Sequence, residues 1–348
     1  MMKISSKYLK NYLKKKKLKG SSIITTIDSH TAGDPTRMAV LKTLKIPGKS
    51  MQEKKEWLER EWKIMRHSLM REPRGYNDME GAVLTEPVSQ EADIGVIFIS
   101  PAACWDMCGT VTIGVITTLI ELGVIEAKGD NDNVNVKLDT PAGLVSTTAR
   151  VREGKVKEVS LINVPSFYYR TFSVPLPGKG NVEVDIAYGG EFLAIVKAEK
   201  LGLALKKQNK DELVKLSLKI MEVIKESQKI VHPSGREGLV GLVRVIEEQG
   251  NIAKSVTIPP EGVICRSPCG TGTSAHMALK YAKGEISLGE EVIHRGIIGT
   301  EFRSRLIDKK NLWGIETVVP EITGSAWITG ISEFIIDPED PLREGFEL

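Results

Sequence analysis

The chain has 348 residues, 41% of them hydrophobic and 27% charged, with a net charge of +3, the make-up of a soluble globular protein long enough for two domains. Lys7, Lys10, Lys14 to Lys17 and Lys19 crowd the first twenty residues, so the remainder is near neutral, which speaks against a nucleic-acid surface on the folded body. No stretch has the length of a membrane span, four cysteines do not make a disulfide scaffold, and with no export signal in view the cytoplasm is the expected compartment.

Residues 1–21 read as a basic N-terminal extension. Ser22 to Ile27 is β-rich and ends in a polar turn region, Asp28 to Arg37, before the strand-like Met38 to Leu44. The spacing of Met51, Leu58, Trp62, Met65 and Leu69 predicts one helix over Ser50 to Met70, with Trp57 at the edge of its apolar face. Turn residues and charges over Arg71 to Tyr76 open into a strand at Ala82 to Thr85, and a second strand, Ile94 to Ile99, leads to Cys104 and Cys108. Val111 to Leu122 is apolar nearly all the way round, which fits a helix wrapped by sheet, and Gly123 closes it.

From Val134 to Tyr169 strands and turns alternate, and the boundary between two halves is expected there. The first half then covers residues 22–155, joined by 337–348, and the second covers 156–336. The second half repeats the grammar of the first: strands at Val182 to Tyr188 and Phe192 to Val196, an amphipathic helix at Lys210 to Lys225, strands near Leu239 to Val245 and Ser255 to Ile258. A helix follows Cys269, and strands at Thr300 to Ile307, Gly314 to Val319 and Ala326 to Ile336 finish the chain.

Two segments carry chemistry. In Arg266-Ser267-Pro268-Cys269-Gly270-Thr271-Gly272-Thr273, Ser267 is a good N-cap and Pro268 a good first helical residue, which puts Cys269 in the first turn. Asp106-Met107-Cys108-Gly109-Thr110-Val111-Thr112 repeats the pattern Cys-Gly-Thr-x-Thr about half the chain earlier, again with a capping type two residues ahead of the cysteine. A thiol at a helix N-terminus feels a positive potential that favours thiolate, and the same backbone N–H groups can hold a carboxylate. One thiolate that takes a proton from a carbon and one thiol that returns a proton from the opposite face invert that carbon, with no metal or other cofactor required. Cys104-x-x-x-Cys108 and Cys265-x-x-x-Cys269 also admit a zinc reading, which ranks lower because ligation would compete for the helix mouths.

These segments resemble the proline racemase and hydroxyproline 2-epimerase family. So do His30-Thr31-Ala32-Gly33-Asp34-Pro35-x-Arg37, Glu72-Pro73-Arg74-Gly75, Asp139-Thr140-Pro141-Ala142-Gly143, Val164-Pro165-Ser166-Phe167, Tyr188-Gly189-Gly190 and the closing Asp340-Pro341. The resemblance implies an α/β fold of two pseudo-symmetric halves, as in diaminopimelate epimerase, each a mixed β-sheet curled round a central helix, with the active site between them. It implies a cofactor-independent isomerase inverting the α-carbon of proline or hydroxyproline, with Cys108 and Cys269 as catalytic residues and the amides of Gly109, Thr110, Gly270 and Thr271 on the substrate carboxylate. It leaves room for a homodimer. A dehydratase branch acting on trans-3-hydroxyproline carries serine or threonine in place of the first cysteine, so Cys108 argues for inversion. The family's histidine after the first Cys-Gly is Thr110 here, its aspartate four residues before the second cysteine is Cys265, and its glutamate at position 34 is Asp34. Because the first two positions hold the substrate's amine in the family, Thr110 and Cys265 are expected to line the amine side of the pocket. They keep two alternatives open: a racemase of another small amino acid, and a binding protein without turnover.

Overall fold

The computed structural model describes residues 21–41, 45–129 and 131–347. The expected extension lies outside these, apart from Ser21, and so does the end of the expected strand Met38 to Leu44. The polar turn region expected over Asp28 to Arg37 is mostly strand, with the turn itself confined to Ala32 and Gly33. Ser22–Thr31 turns through Ala32 and Gly33, at φ 51° and 103°, into Asp34–Val40, the two-residue turn with positive φ that matches strand twist.

The expected long helix is two. Helix α1, Met51–Glu61, starts at Ser50, whose hydroxyl accepts the Glu53 N–H at 3.1 Å, and it ends at Trp62. Helix α2, Lys63–Met70, buries its C-terminal turn because Arg66 donates to the carbonyls of Ser100 and Pro101. Helix α3, Gly109–Glu121, is buried from Gly109 to Ile120, as an all-round apolar helix should be. Helix α4, Lys210–Ser227, buries Leu213, Leu216, Ile220 and Ile224 at helical spacing. Helix α5, Gly270–Ala282, has Ala275, Met277 and Ala278 in the core. Among the described residues, no helix is long and apolar enough to cross a membrane.

The fold is mixed α/β, and each half has the same plan. In the first, α1 and α2 connect the parallel strands Asp34–Val40 and Glu80–Thr85, while α3 connects the parallel strands Ile94–Ile99 and Asn131–Thr140. In the second, α4 connects parallel Phe192–Lys197 and Val240–Gln249, while α5 connects parallel Ile252–Ile258 and Glu291–Arg295. Alternation along each strand serves two faces. Ala82, Val96 and Phe98 meet α3, and their neighbours Val83, Ile97 and Ile99 meet α1 and α2. Likewise Ile186 and Ala194 face α4, and Ala187, Leu193 and Ile195 face α5. One helix of each half is therefore enclosed by its sheet, with its N-terminus at the junction of the halves.

Among the described residues seventeen strands join into one network, and Ile230–Val231 pairs with Glu237–Gly238 apart from it. Ile315–Gly324 stitches the halves, pairing with Lys155–Ile162 on one side and Glu301–Leu312 on the other. Strand pairing crosses the expected division at two places. Lys155–Ile162, next to the expected boundary, pairs with Gly143–Arg152 on one side and Ile315–Gly324 on the other and packs on α3. Ala326–Ile336, expected in the second half, pairs with Ser22–Thr31 of the first over its whole length, because its inward residues complete the sheet around α3. Residues 337–347 then fold against α2 and the segment after it: the Ser68 hydroxyl donates to the Arg343 carbonyl, Asp340 pairs with Arg74 at 2.8 Å, and Phe346 bridges to Glu72.

Candidate active site

Each central helix begins at a cysteine. Cys108 is the N-cap of α3, with extended backbone. Cys269 is the N-cap of α5, which corrects the expected start at Ser267 and Pro268. Two distant side chains hold the approach to α5 out of helix. The Asp34 carboxylate accepts the N–H groups of Arg266, at 2.6 Å, and Ser267, at 3.1 Å; the Arg244 guanidinium donates to the Pro268 carbonyl at 2.6 Å. Cys269 consequently takes φ 63°, unusual for a residue with a side chain and a mark of a backbone held by its surroundings. The Ser267 hydroxyl accepts the Cys269 N–H at 3.0 Å, and the Cys269 sulfur accepts the Gly272 N–H at 3.4 Å. Asp106 does not cap α3; it pairs with Lys55 at 2.6 Å.

The two mouths meet. A Cβ at Gly270 would stand 3.3 Å from the Gly109 Cα, a tight contact, and one at Gly109 would stand 3.5 Å from the Gly270 Cα, so the two helix starts lie against each other. Between the halves lies a cavity of about 530 Å³, and all seven expected residues, Cys108, Gly109, Thr110, Cys265, Cys269, Gly270 and Thr271, line it. Cys104 does not. It packs with Leu58, Leu69 and Ile99 in the core behind the wall, where burial pushes its thiol up to about 11. The two cysteines of the first zinc spacing therefore face different spaces.

The thiols at the two mouths are tuned in opposite directions. Cys269 is pulled down to about 7, first by a hydrogen bond from the Cys265 thiol and then, against the cost of burial, by the Gly272 amide and the Arg244 charge. Cys265, the donor, is held well above its ordinary value by that bond and by burial. Of this coupled pair Cys269 is the anion, because only its sulfur also receives a backbone N–H and faces the guanidinium. Cys108 is pushed well up by burial and then by the charge of Glu80, whose Oε2 lies 3.5 Å from its sulfur. A thiol held low and a thiol held high thus face a single cavity.

Three contributors escape sequence reasoning. Arg244 is fully buried and also reaches the Thr257 hydroxyl and His294 Nδ1, each at 3.2 Å. A lone arginine in the apolar run Val240 to Ile246 was the available signal. Asp34 was noted only as a motif residue, and its link to the turn before α5 spans both halves. Glu80 looks like turn polarity ahead of a strand, but it is the strand's first residue and faces the cavity.

The model of the family described as proline racemase matches residues 26–347. A proline racemase of Clostridioides difficile is 44% identical over 336 residues, covering 95% of this chain and 100% of the relative. A 4-hydroxyproline 2-epimerase of Streptosporangium roseum is 41% identical, covering 94% and 98%. The crystal structure of a hydroxyproline epimerase from Agrobacterium vitis with bound trans-4-hydroxy-L-proline superposes with a TM-score of 0.87 at 32% identity, covering 94% of this chain and 96% of that one. The chain belongs to the proline racemase family and is an isomerase of the amino-acid racemase and epimerase type.

Proposed function

We propose that the chain inverts the α-carbon of proline or hydroxyproline by proton transfer between Cys269 and Cys108. The observation that carries this reading is the pair of thiols at two facing helix mouths, one poised as anion and one as acid. The Cys269 thiolate takes the α-proton, the electron pair passes into the substrate carboxylate, and the Cys108 thiol delivers its proton to the opposite face. Cys269 ends as thiol and Cys108 as thiolate, and exchange with solvent resets them. The substrate carboxylate sits on the amides of Gly109, Thr110, Gly270 and Thr271, first-turn N–H groups without intrahelical acceptors, whose dipoles stabilise the charge that develops there. Chiral chromatography after incubation with L-proline, D-proline and trans-4-hydroxy-L-proline tests the reading. The expected result is convergence of both proline samples on one racemic mixture, or of hydroxyproline on a mixture of 2-epimers. No inversion of any of them, with inversion of another amino acid in a wider panel, would move the function to the racemase alternative that Thr110 and Cys265 keep open.

The tuning predicts a pH profile. The active state carries one proton between the two thiols, so kcat/KM falls where Cys269 becomes protonated and falls again where Cys108 ionises. The acid limb is expected at about 7, with the rate at pH ~6 about tenfold below the plateau. The alkaline limb lies well above 9, because both burial and Glu80 oppose the Cys108 anion. Cys265→Ala removes the bond that does most to hold Cys269 down and should move the acid limb up towards the ordinary thiol value of ~8.5. Initial rates from about pH 5.5 to about pH 10 check both statements, and an acid limb unmoved in Cys265→Ala would contradict the assignment of Cys265 as donor.

A further inference from the structure

A zwitterionic substrate needs a counter-charge for its ammonium as well as amides for its carboxylate. The helix mouths supply only the second, since Thr110 and Cys265 beside them are neutral. Three carboxyl groups stand on the inner wall of the cavity, Asp34, Asp78 and Glu80, and two of them are already engaged. Asp34 uses both oxygens on the amides of Arg266 and Ser267, and Asp78 is ion-paired with the Arg266 guanidinium. Glu80 differs. Among the described residues no lysine or arginine forms an ion pair with it, and its hydrogen-bond partner is the Cys108 thiol. It is also rigidly placed: it opens the strand Glu80–Thr85 opposite Thr36, and the next residue, Gly81, lies so close to the Arg37 carbonyl that a Cβ would not fit. The remaining wall carboxylates, Glu191, Glu261 and Glu347, are exposed to solvent, where an ion pair is worth little, and Glu347 is already paired with Arg71.

We propose that Glu80 is the ammonium-binding residue of this site, so that the substrate's amine lies on the Cys108 side of the cavity, between the strand and α3. The inference rests on the reading of the site as one for an α-amino acid. An arriving ammonium gives the half-buried carboxyl the partner it lacks, and it makes the site select amino acids over plain carboxylic acids of the same shape. Burial and the charges of Asp34 and Cys269 hold the carboxyl well above its ordinary pKa in the free protein, as expected of a carboxyl without a cation.

Isothermal titration of the full-length protein with L-proline and with cyclopentanecarboxylate, which keeps ring and carboxylate but has no nitrogen, tests this. The wild type should bind proline the more tightly. Glu80→Gln should weaken proline by about ten- to a hundredfold and change cyclopentanecarboxylate by less than about threefold, the retained affinity also showing that the pocket is folded. Glu80→Asp, which keeps the charge, should keep part of the preference. Equal losses for both ligands would mean that Glu80 only shapes the pocket, and an unchanged preference for proline in Glu80→Gln would put the amine elsewhere; either overturns the proposal. Glu80-dependent preference without any inversion would leave the ammonium site standing and overturn the racemase reading, and inversion with preference untouched by Glu80→Gln would do the reverse.

Discussion

Cys108→Ser and Cys269→Ser are each expected to lower the rate of inversion by about 10²–10⁴-fold or more, the span of a lost general acid or base. Oxygen replaces sulfur with little change of shape, and both positions are N-caps, where serine is well tolerated. Stability should therefore hold while chemistry fails. At 269 the loss is of a base: a thiol pulled down to about 7 is half ionised near neutrality, and a hydroxyl in the same place is not. At 108 the loss is of the acid that completes inversion. Cys108→Ser keeps the Cys269 thiolate, so abstraction of the α-proton from one enantiomer, and elimination of water from a 3-hydroxyproline, should persist where inversion does not. Polarimetry on both variants, with thermal melting as the control for folding, checks this, and near-normal inversion by either variant would contradict the two-thiol scheme.

Gly189→Ala, a substitution outside the cavity wall, should cost about 10²-fold in kcat/KM. Gly189 follows the strand Gly180–Tyr188 and backs directly onto the first turns of α5, and the Asn163 amide ties its carbonyl to Ser274. A Cβ there would stand 2.6 Å from the Ala275 backbone nitrogen and closer still to the Thr271 carbonyl oxygen, both parts of the helix that Cys269 caps. Backbone cannot swing aside as a side chain can, so α5 must shift along its axis or away from the strand. A shift on the order of 1 Å at the thiolate is enough for a loss of this size. Overpacking should also lower stability by ~1–3 kcal/mol, seen as a drop in melting temperature. A variant with lower stability but unaltered kcat/KM would show that the position of α5 is not what sets the rate.

How much of this was legible in the sequence depends on how local the cause is. The two Cys-Gly-Thr segments announce themselves because a helix mouth is local chemistry, and the helix behind the first reads as enclosed because no polar face interrupts it. The start of α5 was misplaced by two residues, since Ser267-Pro268 is a good local start and what overrides it comes from Asp34 and Arg244, both far away in sequence. The break between α1 and α2 carries no glycine or proline; it follows from the anchoring of Arg66 to carbonyls of the loop beyond Ile99, which turns the buried side of the second piece. Arg244 escapes because a charge in a strand reads as an outward residue unless the opposite face is known to be closed, and Glu80 because it stands ahead of the expected strand start at Ala82. Likewise the pairing of Ala326–Ile336 with Ser22–Thr31 joins two ends of the chain, and no local pattern encodes it.

Two bases on opposite faces leave an isotopic signature. In D₂O, wild-type protein acting on L-proline or trans-4-hydroxy-L-proline can be followed by proton NMR at the α-position while little product has formed. The base that removes the proton is not the group that delivers one, so the inverted product should carry α-deuterium from its first appearance while unconverted substrate keeps its α-proton. Deuterium entering unconverted substrate as fast as product forms would mean that one group serves both faces, and the two-thiol account of Cys108 and Cys269 would be contradicted.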